Sequence, residues 1–354
     1  MKGPRDARMR SQAEASFLET SARIGANPLF VQGAGGNTSL KLGDVLRVKA
    51  SGTRLAQALE ADIFVDVSLS RIRQGIRDGL SDPVAGSWER SGASPGGLRP
   101  SIETSLHALM PQDTVFHVHC VNTLSWAVRT DAADELAERC RGLSWIMVPY
   151  SKPGPDLTRA VASALTGQPA DVVILGNHGL IVGGADAAAA EALLNEVAGR
   201  LAVGLRPAGA ADPARLERTA AGSGYRPARQ PGSHSLALSP AALRIAATGS
   251  LYPDHVVFLG PGVAVAEDRA ALDRVLLSSD GLPFRPVILV PGAGVLVPEG
   301  LGEAGEEMVA ALAAVVARIP DEAAISCLTA ADEQALLNWD AEKYRQSLQS
   351  RQPH

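Results

Sequence analysis

Three of the seven histidines in this 354-residue chain are spaced in a way that could serve one ligand. His117 and His119 stand one residue apart in Val115-Phe-His-Val-His-Cys-Val121, a β-branched run that predicts a strand. Side chains at i and i+2 of a strand leave from the same face. Both imidazoles can therefore converge on one ion, and the strand holds them stiffly. The competing reading is a half-buried strand with two polar positions turned to solvent. His178 lies in Leu175-Gly-Asn-His-Gly-Leu180, directly after the apolar run Val172-Val-Ile-Leu175. Its glycines let the backbone turn sharply and leave room for the ring to point back into a cleft; taken alone, the segment is an ordinary turn with a surface histidine. Glu103 opens a predicted helix over Ser101–Met110, where Ser101 suits the N-cap and an early carboxylate favours the helix dipole. Taken together, three imidazoles and a carboxylate make a coherent shell for Zn²⁺ or a similar divalent cation. His107, four residues after Glu103 on the same helix face, reads as a packing or supporting residue and not a ligand.

Two further turns carry donors. Gly33-Ala-Gly-Gly-Asn-Thr-Ser39 offers bare backbone N–H groups with an amide and hydroxyls, a suitable nest for an anion. It is not a dinucleotide fingerprint: the glycine spacing is wrong, and Thr38-Ser-Leu-Lys-Leu42 continues as a strand, not a helix. Ser51-Gly52-Thr53 is a second small, hydroxyl-bearing turn. Either could equally be a plain tight turn.

The elements that must position these groups follow from periodicity. A first helix is predicted over about Ala7–Ile24, and strands over Leu46–Ala50 and Ile63–Val67. Asp78–Pro100 is rich in Gly, Ser and Pro and reads as a surface loop. Strands at Val172–Leu175 and Leu180–Val182 flank the His178 turn, and an alanine-rich helix runs over about Asp186–Leu205. Residues 206–235 lack periodicity and read as a linker. Beyond it, Val256–Leu259, Val263–Val265 and Val287–Val290 read as short strands, and Glu303–Arg318 and Ala331–Arg345 as helices. The length suits two domains with separate cores: 1–205 carrying the candidate site, and a smaller α+β unit over 236–354.

The bulk composition is globular, with 46% apolar and 20% charged residues. A net charge of −5 and scattered basic residues give no reason to expect nucleic acid or an anionic membrane as partner. The charged N-terminus has no following apolar stretch, no run is long enough to span a bilayer, and three widely spaced cysteines do not suggest a disulfide framework. A cytoplasmic protein is expected.

In the order Gly36-Asn37-Thr38-Ser39, Ser51-Gly52, Pro100-Ser-Ile-Glu103, His117-Val-His119 and Asn177-His178-Gly179, these segments resemble the class II aldolase/adducin family over about residues 10–205. With Leu251-Tyr-Pro-Asp-His-Val256 and Leu336-Leu-Asn-Trp-Asp-Ala-Glu-Lys-Tyr344, the chain also resembles the aldolase portion of bifunctional rhamnulose-phosphate aldolase/dehydrogenase proteins. The resemblance implies an α/β fold, a three-layer αβα domain with a largely antiparallel central sheet, in a homotetramer with sites between subunits. It also implies Zn²⁺, or another divalent cation such as Mn²⁺ or Co²⁺, on His117, His119 and His178. Glu103 would ligate the free metal or act as base. Gly36, Asn37, Ser51, Gly52 and Ser101 would hold a substrate phosphate.

The implied activity is retro-aldol cleavage of a ketose or ketose phosphate through a metal-stabilised enediolate, with Glu103 moving the C4 hydroxyl proton. Related outcomes are an epimerase or a dehydratase of the same fold, and the reading from another class is a non-catalytic adducin-like interaction protein. A separate dehydrogenase that consumes the aldehyde is a candidate partner. Two departures stand out. Ile102 occupies a place where phosphate-using aldolases commonly have a second serine, and the proton-donating tyrosine of fuculose-phosphate aldolase has no counterpart between Cys120 and Trp145. Tyr150, Tyr252 and Tyr344 are possible substitutes. Asp254 and His255 could reach the site, with a structural role the expectation favoured for both.

Overall fold

A computed structural model describes residues 4–88, 97–279 and 284–338. Seven strands form one sheet: β1 (Asn37–Leu42), β2 (Val45–Lys49), β3 (Phe64–Ser68), β4 (Thr114–Val118), β5 (Trp145–Val148), β6 (Val172–Leu175) and β7 (Gly179–Gly184). Their order is β3-β2-β1-β4-β7-β6-β5, and every pairing is antiparallel except β5 with β6. The expectation of a largely antiparallel central sheet is met. The helices of this half are α1 (Pro4–Gly25), α2 (Leu69–Arg77), α3 (Thr104–Leu109), α4 (Val121–Ala127), α5 (Ala133–Arg139), α6 (Pro155–Gly167) and α7 (Ala187–Arg200).

The strand pleat divides the core in two. Phe116 and Val118 of β4 join Ile174, Leu180 and Val182 against α1 and α7 on one face. Val115 joins Val173, Leu175 and Ile181 against α3 and α6 on the other. By the same alternation His117 belongs to the α3 face, whose N-terminal end carries Glu103.

The second half holds α8 (Pro213–Ala220), β8 (Tyr225–Pro227), α9 (Pro240–Ala246), α10 (Pro253–Leu259), β9 (Ala264–Val265), α11 (Arg269–Ser278), β10 (Ile288–Val290), β11 (Gly294–Pro298), α12 (Glu303–Val316) and α13 (Ala330–Leu337). Its sheet has the order β8-β11-β10-β9.

Several expectations need correcting. Residues 213–235, read as linker, carry α8, capped by Asp212 with Pro213 at its first position, and strand β8. Val256–Leu259, read as a strand, is part of α10; a short helix buried on all sides shows the same unbroken apolar run as a buried strand. The alanine-rich helix stops at Arg200. Helix α3 starts at Thr104, and Ser101 caps no helix: its hydroxyl accepts from the Glu103 N–H. The cores are not separate either, because Val121, Leu124 and Val128 pack into the second unit with Leu251, Leu289 and Leu312. Residues 89–96 of the predicted surface loop and 339–345 of the last predicted helix lie outside the described residues. Among the described residues no helix is long and apolar enough to cross a membrane.

Candidate metal centre

β4 ends at Val118, so His117 sits in the sheet and His119 one residue beyond it. Across the ladder His117 is paired with Asn37 on one side and Ile181 on the other. His178 lies in the turn joining β6 to β7. That turn is tied from both sides. Asn177 has φ of +52°, and its backbone N–H donates to Ala127 O at 3.0 Å. Its side-chain amide donates to Leu251 O at 2.9 Å and Ser326 O at 2.7 Å, both in the second unit. Gly179 must be bare: a Cβ there would lie 2.6 Å from Val118 O and 3.3–3.4 Å from the His119 and His117 rings.

The three imidazoles come together, with ring centroids 5.0–5.3 Å apart and one nitrogen of each within 4.8 Å of the others. Glu103 reaches across them. Its Oε2 lies 3.3 Å from His117 Nε2, and its Oε1 lies 3.2 Å from His178 Nε2. Two atoms each bound at 2.0–2.1 Å to one tetrahedral ion stand roughly 3.3 Å apart. Glu103 Oε1, His117 Nε2 and His119 Nε2 are buried with no hydrogen-bond partner among the described residues, and His178 turns its Nε2 toward the same point. Buried polar atoms are normally satisfied, so this donor set fits a cation that would complete it. His117 Nδ1 donates to Leu180 O at 3.2 Å, which leaves its Nε2 lone pair facing the cluster.

Electrostatics agree. Burial drives the His117 ring below its ordinary value and the His178 ring to about 3, so both are neutral and able to donate lone pairs. Burial alone would raise the Glu103 carboxyl; the His117, His178 and His119 rings and the Asn37 amide outweigh it and hold it well below the usual carboxylate range.

A buried network supports Glu103. The Asn37 amide donates to Glu103 Oε2 at 3.0 Å and to the Ser101 hydroxyl at 3.2 Å. The Asn37 carbonyl oxygen accepts from His107 Nε2, and His107 Nδ1 accepts from the Ser39 hydroxyl at 2.8 Å. That pattern fixes which way the Asn37 amide points. His107 is thus a supporting residue, as its helix position suggested.

Gly36, Asn37, Ser51, Gly52, Ser101, Glu103, His119 and His178 line one cavity of about 30 Å³, and His117 lies fully buried beneath it. Ile102 lines it as well. Lys49 and Asp254 also line it. Lys49 is buried, and its ammonium donates to Thr53 O at 2.7 Å and Ala34 O at 3.2 Å, tying the two donor-rich turns together; the available signal is a lysine at the end of β2, two residues before Ser51. Asp254, from α10, places Oδ2 2.7 Å from His119 Nδ1. His255 stays in the core, with Nε2 on Gly262 O at 3.2 Å. Tyr150 and Tyr252 do not line the cavity; both hydroxyls are buried, and burial pushes both above the usual phenol value. Tyr344 lies outside the described residues.

The family profile described as Class II Aldolase and Adducin N-terminal domain matches residues 17–202, just over half of the chain. The chain belongs to the class II aldolase and adducin family. That match covers every ligand candidate and ends before the second sheet begins. A Bacillus subtilis (strain 168) protein named Uncharacterized oxidoreductase YuxG is 32% identical over 173 residues, 46% of this chain. The chain spans only about a quarter of that relative's length (25%). Among solved structures, the N-terminal class II aldolase domain of a conserved protein from Thermoplasma acidophilum is 27% identical with a TM-score of 0.46, covering 52% of this chain and 90% of that one. The l-fuculose-1-phosphate aldolase from Thermus thermophilus is 16% identical with a TM-score of 0.38, covering 54% and 92%.

Proposed function

We propose that this family member is a metal-dependent aldolase that cleaves a ketose or ketose phosphate between C3 and C4. The observation that carries the reading is the Glu103 carboxylate standing 3.3 and 3.2 Å from two imidazoles of a buried three-histidine cluster. His117, His119 and His178 are the proposed ligands, with Glu103 as a fourth in the absence of substrate. A divalent cation there, Zn²⁺ or else Mn²⁺ or Co²⁺, supplies Lewis acidity to ketose oxygens on which negative charge grows as the bond breaks.

Glu103 then takes the proton of the C4 hydroxyl, while the electron pair of the C3–C4 bond moves toward the carbonyl carbon. Asn37 holds the carboxylate from behind with one amide N–H. Gly36, Asn37, Ser51, Gly52 and Ser101 present donors to the far end of the substrate, and Lys49 adds a positive charge beside them. These groups suit an anionic or strongly hydroxylated end.

The test is product analysis. Purified protein, assayed for bound metal, is given a panel of ketoses and ketose phosphates. Two carbonyl fragments support the aldolase; an isomer or a dehydrated ketone assigns the centre to epimerisation or dehydration instead. A protein that binds no divalent cation and turns over no sugar is an interaction protein. Glu103→Gln lowers kcat by about 10²–10⁴-fold if the carboxylate carries the proton. We further propose a homotetramer, measurable by light scattering. We also propose a separate dehydrogenase as partner for the aldehyde product, a reading to abandon if no dehydrogenase co-purifies or raises flux.

A further inference from the structure

We propose that the second unit is a working part of the metal centre: Asp254, in the first turn of α10, is a positioning residue that fixes the His119 ring with Nε2 toward the cation. This rests on the metal-centre reading above and deepens it by assigning a role to a segment beyond residues 17–202, where the family match ends.

The three imidazoles are not held alike. His117 belongs to β4 and is oriented by Leu180 O of the neighbouring strand. His178 sits in a turn clamped by Asn177. His119 has left the strand and precedes Cys120, the N-cap of α4, so no ladder fixes its ring. What faces it is Asp254, whose Oδ2 lies 2.7 Å from Nδ1, with both side chains over nine-tenths buried. An ionised carboxylate only accepts hydrogen bonds, and a neutral imidazole carries one ring proton. A buried carboxylate this close favours the tautomer with the proton on Nδ1, which leaves the lone pair on Nε2. That nitrogen is the one buried with no hydrogen-bond partner among the described residues. A carboxylate behind a ligating imidazole sets its tautomer and raises its basicity toward the metal.

Local space is arranged around this pair. A Cβ on Gly35 would stand 3.0 Å from Asp254 Oδ2 and 3.0 Å from His119 Nδ1, so the loop passes there only without a side chain. The two units also grip each other close by. Asn177 binds Leu251 O, three residues before Asp254, and Arg318 Nε donates to Asn122 Oδ1 of α4 at 2.8 Å.

The experiment titrates metal-free protein with Co²⁺, reading the visible d–d spectrum, and measures Zn²⁺ affinity by competition with a chelator. Wild type, Asp254→Asn, Asp254→Ala and Arg318→Ala are compared, with heat denaturation of each metal-free protein as the check on folding. The Asp254 variants are expected to lose about 10–100-fold in metal affinity, with an altered Co²⁺ spectrum. Asn is nearly isosteric with Asp and keeps the fold where Ala does not. Arg318→Ala loosens the same junction without touching an imidazole and should bind as wild type does. Wild-type affinity and spectrum in both Asp254 variants, or an equal loss in Arg318→Ala, would overturn the assignment. A wild-type protein that binds neither ion would remove the metal centre itself, a distinct outcome.

Discussion

Among the described residues five histidines are buried, and they divide into two kinds. In the structural core, His107 and His255 have both ring nitrogens occupied: His107 by Ser39 and Asn37, His255 by the Leu251 N–H and Gly262 O. In the site, His117 and His119 each keep a buried Nε2 with no hydrogen-bond partner among the described residues, and His178 turns Nε2 toward Glu103 at 3.2 Å while its buried Nδ1 has none. Leaving such an atom unsatisfied costs about 1–3 kcal/mol. The fold closes its imidazoles where they serve packing and leaves open those that face the cavity. Burial is equal in the two groups, so satisfaction and not depth is what separates them. Local rules are broken where a function gains from it.

The sharpest way to break this contrast is His178→Ala. Several kcal/mol of Lewis-acid stabilisation, at about 1.4 kcal/mol per factor of ten, sets the expected loss of turnover at roughly a thousandfold. Bound metal should vanish with it, while the metal-free protein unfolds at the same urea concentration or a higher one. Retained turnover would place His178 with the structural histidines.

Acid tests the other group. Burial holds His255 down to about 4, against 6.5 for an ordinary imidazole. Between those values the unfolded chain binds a proton that the folded chain refuses. Its contribution is therefore intact above about 6.5 and is lost as the pH falls toward 4, to a limit of roughly 3 kcal/mol. Urea unfolding at pH 7 and 5 should show this slope, and His255→Asn should flatten it.

Metal removal sharpens the site side. Hundredfold excess over Kd stabilises by about 2.7 kcal/mol. A chelator should lower the melting temperature of wild type and leave that of His178→Ala unmoved. The smallest effect belongs to His107→Ala, which orphans Asn37 and Ser39 and should cost about 1–3 kcal/mol in stability. Its loss of metal affinity should fall well short of that in His178→Ala; equal losses would merge the two groups.

The metal-site candidates were legible in sequence because glycines and paired histidines leave short, ordered signatures. The sheet was legible for its period of two and its length. The approach of Asp254 to His119 leaves no trace in sequence, since a contact across more than a hundred residues has no spacing to read. α10 was misread because Val256–Leu259 is apolar without a period, although Pro253 suits a helix's first turn. Asp212-Pro213 is the same kind of start signal, set in a composition that suggested a linker. Shared packing between α4 and the second unit was invisible, because Val121 and Leu124 fit either core by type alone.

The cavity above the imidazoles opens to solvent, and helix α10 forms part of its rim through Pro253 and Asp254. The same short helix thus carries the carboxylate facing the His119 ring and a wall of the entrance. A substitution that shifts α10 would disturb ligand geometry and substrate admission together, and the two separate only when metal affinity and KM are measured on one variant.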